Sequence, residues 1–117
     1  MTIAAIMRGD VVEVNLDPTV GTEIKKTRPC VVVQNNVGNQ YSSRTIIVPA
    51  TGAEHIVKTF PIQVQVAGEG GFAKPSVILC DQIRAIDKSR LVRILGRLSR
   101  LTMDKVDTAI KVSLGLK

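Results

Sequence analysis

Arg28 and Thr51 are the two polar residues whose types and positions best suit chemistry in this sequence. Arg28 precedes Pro29 and the short β-branched run 30–35, and Thr51 directly follows the segment 44–50. If these segments are neighbouring antiparallel strands, the start of one and the end of the other lie at the same sheet edge. A guanidinium beside a hydroxyl donor suits a phosphate. The alternative is structural: Arg28 satisfies loop carbonyls and Thr51 caps a turn.

The loop that leads to Arg28 carries two further cations, Lys25 and Lys26, together with one carboxylate, Glu23. Residues 1–83 balance their charges, so the net charge of +6 resides in residues 84–117. This excess favours a polyanionic partner, either a nucleic acid or an acidic protein segment. Solvation of an exposed face by Arg and Lys is the alternative explanation.

The residue inventory excludes several kinds of site. His55 is the one histidine, so a pair of histidines for acid–base work and a His-rich metal site are impossible. No acidic cluster has metal-ligand spacing and no glycine-rich phosphate loop opens a helix. With three aromatic residues, a broad base-stacking platform is not expected. We therefore expect any catalysis to use Arg, Lys, Thr, Ser, Asp or Glu, without metal or cofactor.

Length and composition indicate a single domain spanning residues 1–117. No apolar run reaches the roughly 20 residues of a membrane helix, and the start lacks a signal peptide, so we expect a cytoplasmic protein. Because Met7 begins a start-like "MRGD", residues 1–6 are interpreted as a dispensable extension. Cys30 and Cys80 lie in apolar runs, which favours buried free thiols over a disulfide.

The hydrophobic pattern predicts a mainly β fold with helices (α+β), namely a small antiparallel barrel or strongly curved sheet followed by a C-terminal helix. The predicted strands cover 10–16, 30–35, 44–50, 61–67 and 76–82. Residues 36–43 are predicted as a loop and 85–91 as a short helical turn. Segment 92–98 suits a strand, although its arginines would also form one stripe of a helix.

The segment 99–117 is the clearest helix. Ser99 or Thr102 can cap its start, and Gly115 can end it. Apolar residues recur on one of its faces at helical spacing: Met103, Val106, Ile110 and Leu114.

Five segments, in order, resemble the MazF/PemK family of toxin endoribonucleases. They are "RGDVVEVNLDPTVGTE", "TRPCVVVQNNVGN", "VPAT", "SVILCDQIRAIDKSRL" and "MDKVDTAIKVSLGL". The resemblance covers nearly the whole chain from Met7 and implies the SH3-like, PemK-type version of the small curved sheet.

The resemblance implies metal-independent, sequence-specific cleavage of single-stranded RNA by 2′-hydroxyl attack, leaving a 2′,3′-cyclic phosphate and a 5′-hydroxyl. It assigns catalytic roles to Arg28 and Thr51, with Glu23 helping to organise the site. The positions that match the family's RNA groove are Asn35, Ser76, Asp81 and Gln82. It also implies a homodimer, inhibited by an antitoxin whose acidic C-terminal segment occupies that groove.

Proton transfer is the difficult step in this scheme, because guanidinium groups are poor bases at neutral pH. We hypothesise that Glu23 shares the base role, directly or through water, while Lys25 and Lys26 gather RNA. Two other functions remain open: a non-catalytic RNA- or protein-binding small β-barrel, and a degenerate family member that binds an antitoxin-like partner without cutting.

Overall fold

A computed structural model describes residues 5–56 and 60–117. Within these ranges the chain forms seven strands and two α-helices. The strands are β1 (Asp10–Asn15), β2 (Thr27–Val32), β3 (Arg44–Gly52), β4 (Gln63–Val66), β5 (Ser76–Leu79), β6 (Arg84–Asp87) and β7 (Leu91–Arg97). The helices are α1 (Asn36–Tyr41) and α2 (Arg100–Leu114), with 3-10 turns at Ala53–His55 and Lys88–Arg90. The predicted class, mainly β with a C-terminal helix, is confirmed.

The sheet is antiparallel throughout and curves around the long strand β3. Its order is β4-β5-β3-β2-β1-β7, with β6 pairing separately with β3. The first half of β3, Arg44–Ile47, pairs with β6, and its last three residues, Ala50–Gly52, pair with β5. Because β3 changes partner near Pro49, it passes from one part of the sheet to the other. The end of β3 therefore lies between the start of β2 and the start of β5.

The central strands are buried on both faces, which explains their continuous apolar sequences. β1 places Val11 in one core cluster and Val12 in the other, and β2 does the same with Val31 and Cys30. Successive side chains of a strand point to opposite faces, so each strand contributes to both clusters. Helix α2 covers the first cluster.

Helix α2 begins and ends at the residues that the sequence suggested. The Ser99 hydroxyl accepts a hydrogen bond from the Thr102 amide at 3.2 Å, so Ser99 is the N-cap. Gly115 adopts the left-handed conformation (φ 70°) at which helices commonly end. Met103 and Val106 of the predicted apolar face are buried, whereas Leu114 is exposed.

The prediction of a loop at 36–43 was wrong for Asn36–Tyr41, which form α1. A six-residue helix that contains Gly38 has low intrinsic stability, so the local pattern gives little signal. Tertiary contacts hold it instead. The side chain of Asn39 is buried, accepts hydrogen bonds from Thr45 Oγ1 (2.7 Å) and Gln34 Nε2 (3.1 Å), and donates to the Gln34 carbonyl.

The predicted helical turn at 85–91 is correct only for Lys88–Arg90, because residues 84–87 form β6. Asp87 explains the change of structure: its side chain caps the 3-10 turn by accepting from the Ser89 amide at 2.8 Å. The strand interpretation of 92–98 is confirmed by β7, which pairs with β1 and rules out the helical stripe. β2 also starts earlier than predicted, at Thr27, and includes Pro29, which is tolerated because pairing with β3 begins only at Cys30.

Two further predictions concern the N-terminal segment, expected to be dispensable, and the two cysteines, expected to be free thiols. Ile6 is buried within the second core cluster, while residues 1–4 lie outside the described ranges, so the dispensability of residues 1–6 stays a prediction. Cys30 and Cys80 are buried and unpaired with each other, which confirms the free-thiol interpretation. In the described parts of the chain, no helix is both long and apolar enough to cross a membrane.

Candidate functional site

The structure brings Arg28 and Thr51 together at one edge of the sheet. Cys30 pairs with Pro49 in the antiparallel ladder, and extending this register by two residues sets Arg28 opposite Thr51. Both side chains line a cavity of about 130 Å³ at the end of β3, which we call the small cavity. The juxtaposition inferred from strand order alone is therefore present.

Arg28 is half-buried, and its guanidinium is fixed at one side. Its Nε donates to the carbonyl of Lys25 at 3.1 Å. No partner among the described residues hydrogen-bonds its two terminal nitrogens, so both can donate to an anion in the cavity. The structural role considered for Arg28, satisfaction of a loop carbonyl, is thus real but uses only part of the side chain.

Ser76 completes the floor of the small cavity on the β5 side. It pairs with Gly52, and the neighbouring pair joins Val77 to Thr51. Ser76 is 6% exposed, and its hydroxyl donates to the Lys74 carbonyl at 2.9 Å. The structure thus places Ser76 in the same cavity as Arg28 and Thr51, while its contact with RNA stays a prediction.

The loop between β4 and β5 supplies three cavity residues that the sequence reasoning missed, Phe72, Ala73 and Lys74. Lys74 forms an ion pair with Glu54, which follows the end of β3. The hydrogen bond from Lys74 within this ion pair is the main reason that the pKa of the Glu54 carboxyl lies below its ordinary value. The overlooked signal is a repeated pattern, a cation followed by proline: Lys74-Pro75 stands just before the buried strand β5, and Arg28-Pro29 stands at the start of β2.

That loop is anchored at its other end by Glu69. Its carboxylate accepts from the Ser99 amide and from the Thr102 hydroxyl, each at 2.8 Å, at the start of α2. Both hydrogen bonds lower the pKa of Glu69, and the one from the Ser99 amide has the larger effect. Gly71 packs so closely on β7 that an added Cβ would lie 2.2 Å from the Leu95 carbonyl oxygen. The cavity wall at Phe72 and Lys74 is therefore fixed to both α2 and β7.

A second, larger depression of about 390 Å³ lies beside the loop between β1 and β2. We call it the large groove. Three polar residues from the sequence prediction line it, namely Glu23, Asp81 and Gln82, and Arg84 joins them. Gln82 Oε1 accepts from the Ile24 amide at 2.8 Å, so the β1–β2 and β5–β6 loops are hydrogen-bonded to each other. Arg84 Nη1 donates to the Leu16 carbonyl at 2.7 Å and holds the base of the same loop.

Glu23 lines the large groove and is not among the residues of the small cavity. Its carboxylate accepts from the Val20 amide within its own loop. The structure therefore places Glu23 in the depression next to the one that holds Arg28 and Thr51.

The remaining predicted substrate residues, Lys25, Lys26 and Asn35, lie at opposite ends of β2. Lys25 and Lys26 lie on the exposed loop before Arg28, and the Lys26 amide donates to Asp17 Oδ1 at 3.1 Å. Asn35 lies beyond the other end of β2, where its side chain caps α1 by accepting from the Gly38 amide at 2.8 Å. The structure does not bring Asn35 together with Arg28 and Thr51.

Part of the basic C-terminal third pairs with acidic residues of β1. Arg93 lies opposite Glu13 and Arg97 opposite Asp10 in the β1–β7 ladder, with nitrogen–oxygen distances of 3.4 and 3.2 Å. Arg90 donates to the carbonyls of Asn15 and Asp17. These arginines therefore contact β1 or the loop that follows it, and their charge need not imply a polyanionic partner.

The cysteines do not offer a nucleophile. Burial is the main cause that raises the thiol pKa of Cys30 and of Cys80 to about 12 in each case. A thiol with such a pKa is protonated at neutral pH and is a poor nucleophile. Within residues 5–56 and 60–117, no three His, Cys, Asp or Glu side chains are grouped as metal ligands would be.

Comparisons with known proteins agree with the fold. The family model of the PemK-like, MazF-like toxin of type II toxin–antitoxin systems matches residues 7–114. Endoribonuclease EndoA of Bacillus subtilis (strain 168) is 44% identical over 112 residues, covering 95% of this chain and 96% of that protein.

Solved structures show the same architecture. An endoribonuclease from a mycobacterial species, in complex with its cognate antitoxin, superposes with a TM-score of 0.81 at 26% identity, covering 97% of this chain and 98% of that one. MazF from Deinococcus radiodurans, 23% identical, gives the same TM-score over 95% and 97% of the two chains and supports the fold. The family match, the EndoA relationship and the shared fold together show that this chain belongs to the PemK-like, MazF-like family of type II toxins.

Proposed function

We propose that this protein is an endoribonuclease toxin that cleaves single-stranded RNA in the small cavity. One observation carries the proposal: Arg28 and Thr51 line one cavity at the end of β3, just beyond the last β2–β3 pair, Cys30 with Pro49. The 44% identity to an endoribonuclease supports the same activity. The RNA phosphate enters between the two side chains.

The chemistry follows from the groups at hand. The 2′-oxygen of the nucleotide preceding the scissile bond loses its proton and attacks phosphorus, and the bond to the 5′-oxygen breaks. A 2′,3′-cyclic phosphate remains, and the leaving oxygen takes up a proton from water to become a 5′-hydroxyl. Negative charge builds on the non-bridging oxygens, where the terminal nitrogens of Arg28 and the hydroxyl of Thr51 donate hydrogen bonds. This reaction uses no metal ion.

Glu23 is the proposed partner in proton transfer. Because it lines the large groove rather than the small cavity, it accepts the proton of the 2′-hydroxyl through water. Lys25 and Lys26 attract the RNA backbone from the exposed loop. Asp81 and Gln82 contact bases in the large groove, Ser76 contacts the strand at the cavity, and Asn35 contacts a more distant part of the same strand.

The partners follow from charge and family. The protein works in the cytoplasm as a homodimer, and a cognate antitoxin neutralises it by placing an acidic C-terminal segment where RNA binds. The net charge of +6 favours both polyanions. The mycobacterial relative solved with its cognate antitoxin supports a partner of this kind.

Incubation of mixed-sequence single-stranded RNA in EDTA tests the proposal. The intact protein should cut the RNA, and Arg28→Ala should bind it without cutting. Binding without cleavage by both proteins would favour the non-catalytic RNA-binding barrel. Cleavage that EDTA abolishes would contradict the metal-free reaction, and absence of both binding and cleavage would favour the degenerate toxin that retains only its antitoxin.

A further inference from the structure

The end of β3 is flanked by two cations, one on each side. β2 and β5 lie on either side of β3 and run antiparallel to it. Arg28-Pro29 stands at the start of β2, and Lys74-Pro75 stands just before β5. Thr51 lies between them, and Arg28, Thr51 and Lys74 line the same small cavity. The proposed reaction has no role yet for the second cation.

The backbone around Lys74 is fixed, whereas its ammonium group is exposed. The Ser76 hydroxyl donates to the Lys74 carbonyl, and the Ala53 amide donates to the Pro75 carbonyl at 3.0 Å. The side chain itself is 59% exposed and pairs with Glu54, whose side chain is 49% exposed. An exposed ion pair of this kind is weak, so an incoming phosphate can replace the carboxylate.

The contacts of Glu54 place an anion next to the small cavity. Its carboxylate lies against Gly52, where an added Cβ would be 2.3 Å from Oε1, and Oε1 is 3.4 Å from Nε2 of His55. Glu54 lies only three residues after Thr51 in the chain, and its carboxylate contacts the ammonium group of Lys74.

We propose that Lys74 is a phosphate-binding residue of the small cavity and that Glu54 occupies its ammonium group until RNA displaces it. The proposal rests on the endoribonuclease function proposed above and adds a second cationic contact to the substrate. Lys74 binds the backbone phosphate next to the scissile one, on the β5 side of Thr51. Its contact exists before and during the reaction, so it contributes to substrate affinity rather than to the rate of the chemical step.

The salt dependence of cleavage tests the role of Lys74 directly. We compare Lys74→Met with Lys111→Met, a matched loss of one exposed lysine on α2, using the same single-stranded RNA. Lys74→Met should raise KM about five- to ten-fold at low salt, leave kcat nearly unchanged, and reduce the slope of log(kcat/KM) against log[salt] by about 0.7. Lys111→Met should keep the slope of the intact protein, and Lys74→Arg should restore it. A merely structural role of Lys74 would lower activity without changing the slope.

Glu54→Gln tests the displacement. It should lower KM two- to five-fold at low salt when Lys74 is present and have no effect in the Lys74→Met background, which a double-mutant cycle measures. An equal effect of Glu54→Gln in both backgrounds, or an unchanged salt slope in Lys74→Met, would overturn the proposal while leaving the endoribonuclease function intact. If the intact protein cuts no RNA at any salt concentration, the endoribonuclease function itself is wrong.

Discussion

The small cavity and the large groove differ in how they are built. The small cavity lies where three paired strands meet, and its key residues stand at strand ends fixed by ladder hydrogen bonds. The large groove is lined mainly by residues of two loops, joined through the hydrogen bond between Gln82 and Ile24. Its exposed carboxylates, Glu23 and Asp81, contrast with the cations of the cavity.

Because of this difference, we expect the small cavity to stabilise the transition state and the large groove to recognise RNA. Stabilisation of a transition state requires donors held in place before the reaction, which strand ends provide. Recognition of a variable strand of RNA suits loop residues, which can change without disturbing the sheet. We therefore expect changes in the cavity to reduce the rate of cleavage, and changes in the groove to alter proton transfer or the choice of RNA.

Arg28→Ala should have the largest effect. Removal of the guanidinium takes away the main charge that stabilises the phosphorane, so the single-turnover rate should fall roughly a thousand-fold or more. Arg44→Ala is the matched control, because Arg44 is an exposed arginine at the other end of the same strand, β3, from Thr51. Similar losses in the two variants would show that cleavage depends on overall charge and not on the cavity.

Thr51→Val should reduce the single-turnover rate by about a hundred-fold, since one hydrogen-bond donor to the transition state is lost while the shape is kept. Thr51→Ser keeps the hydroxyl and should stay within about ten-fold of the intact protein. If both substitutions had equal effects, the methyl group of Thr51 would matter and the proposed hydrogen bond would not.

Glu23→Gln sharpens the contrast between cavity and groove. It should lower the rate roughly ten-fold at pH 7 and flatten the acid limb of the rate–pH profile, because the shared base is lost. Asp81→Asn removes a carboxylate from the same groove and should keep that limb. An unchanged profile in Glu23→Gln would assign proton transfer to another group, including Arg28 itself.

Glu69→Gln tests the support of the cavity wall and should destabilise the fold by about 1 kcal/mol at pH 7, since a charge-assisted cap of α2 is weakened. The pKa of Glu69 is lowered in the folded state from an ordinary value of 4.5. Its stabilising contribution is therefore complete above pH 4.5 and disappears as pH falls through the lower folded value. Urea unfolding at several pH values should show the two proteins converging in acid.

The exposed carboxylate of Asp104 on α2 provides the control for that measurement. Asp104→Asn removes one negative charge without removing a cap, so its unfolding free energy should differ little from that of the intact protein at any pH. If Asp104→Asn reproduced the pH-dependent loss, net charge rather than the hydrogen bonds of Glu69 would be responsible.

The sequence was sufficient to predict that Arg28 and Thr51 lie close together at strand ends. It did not predict that Glu23 lines a different depression. Arg28 and Thr51 could be paired because antiparallel order fixes which strand ends meet. Glu23 precedes Arg28 by only five residues, yet it lines a different depression because the β1–β2 loop turns toward Gln82. A loop path of this kind depends on tertiary hydrogen bonds that leave no periodic signal in the sequence.

Lys74 and α1 show two further limits of sequence reasoning. Lys74 reaches the cavity because β5 pairs with the end of β3, a contact that skips β4 along the chain. Helix α1 depends on the buried side chain of Asn39, whereas its own residues favour a loop. The C-terminal helix was predictable because its cap, its apolar face and its terminal glycine all agree.

The most direct test of the central claim uses one RNA in two forms. The cut site is first mapped on single-stranded RNA in EDTA, and the strand is then made with a 2′-deoxy nucleotide immediately before the scissile phosphate. We predict that the intact protein cuts the RNA to a 2′,3′-cyclic phosphate and a 5′-hydroxyl, that it binds the deoxy strand without cutting it, and that Arg28→Ala cuts neither. Cleavage of the deoxy strand at that position would contradict the account, because the attacking group would then be water and not the 2′-hydroxyl.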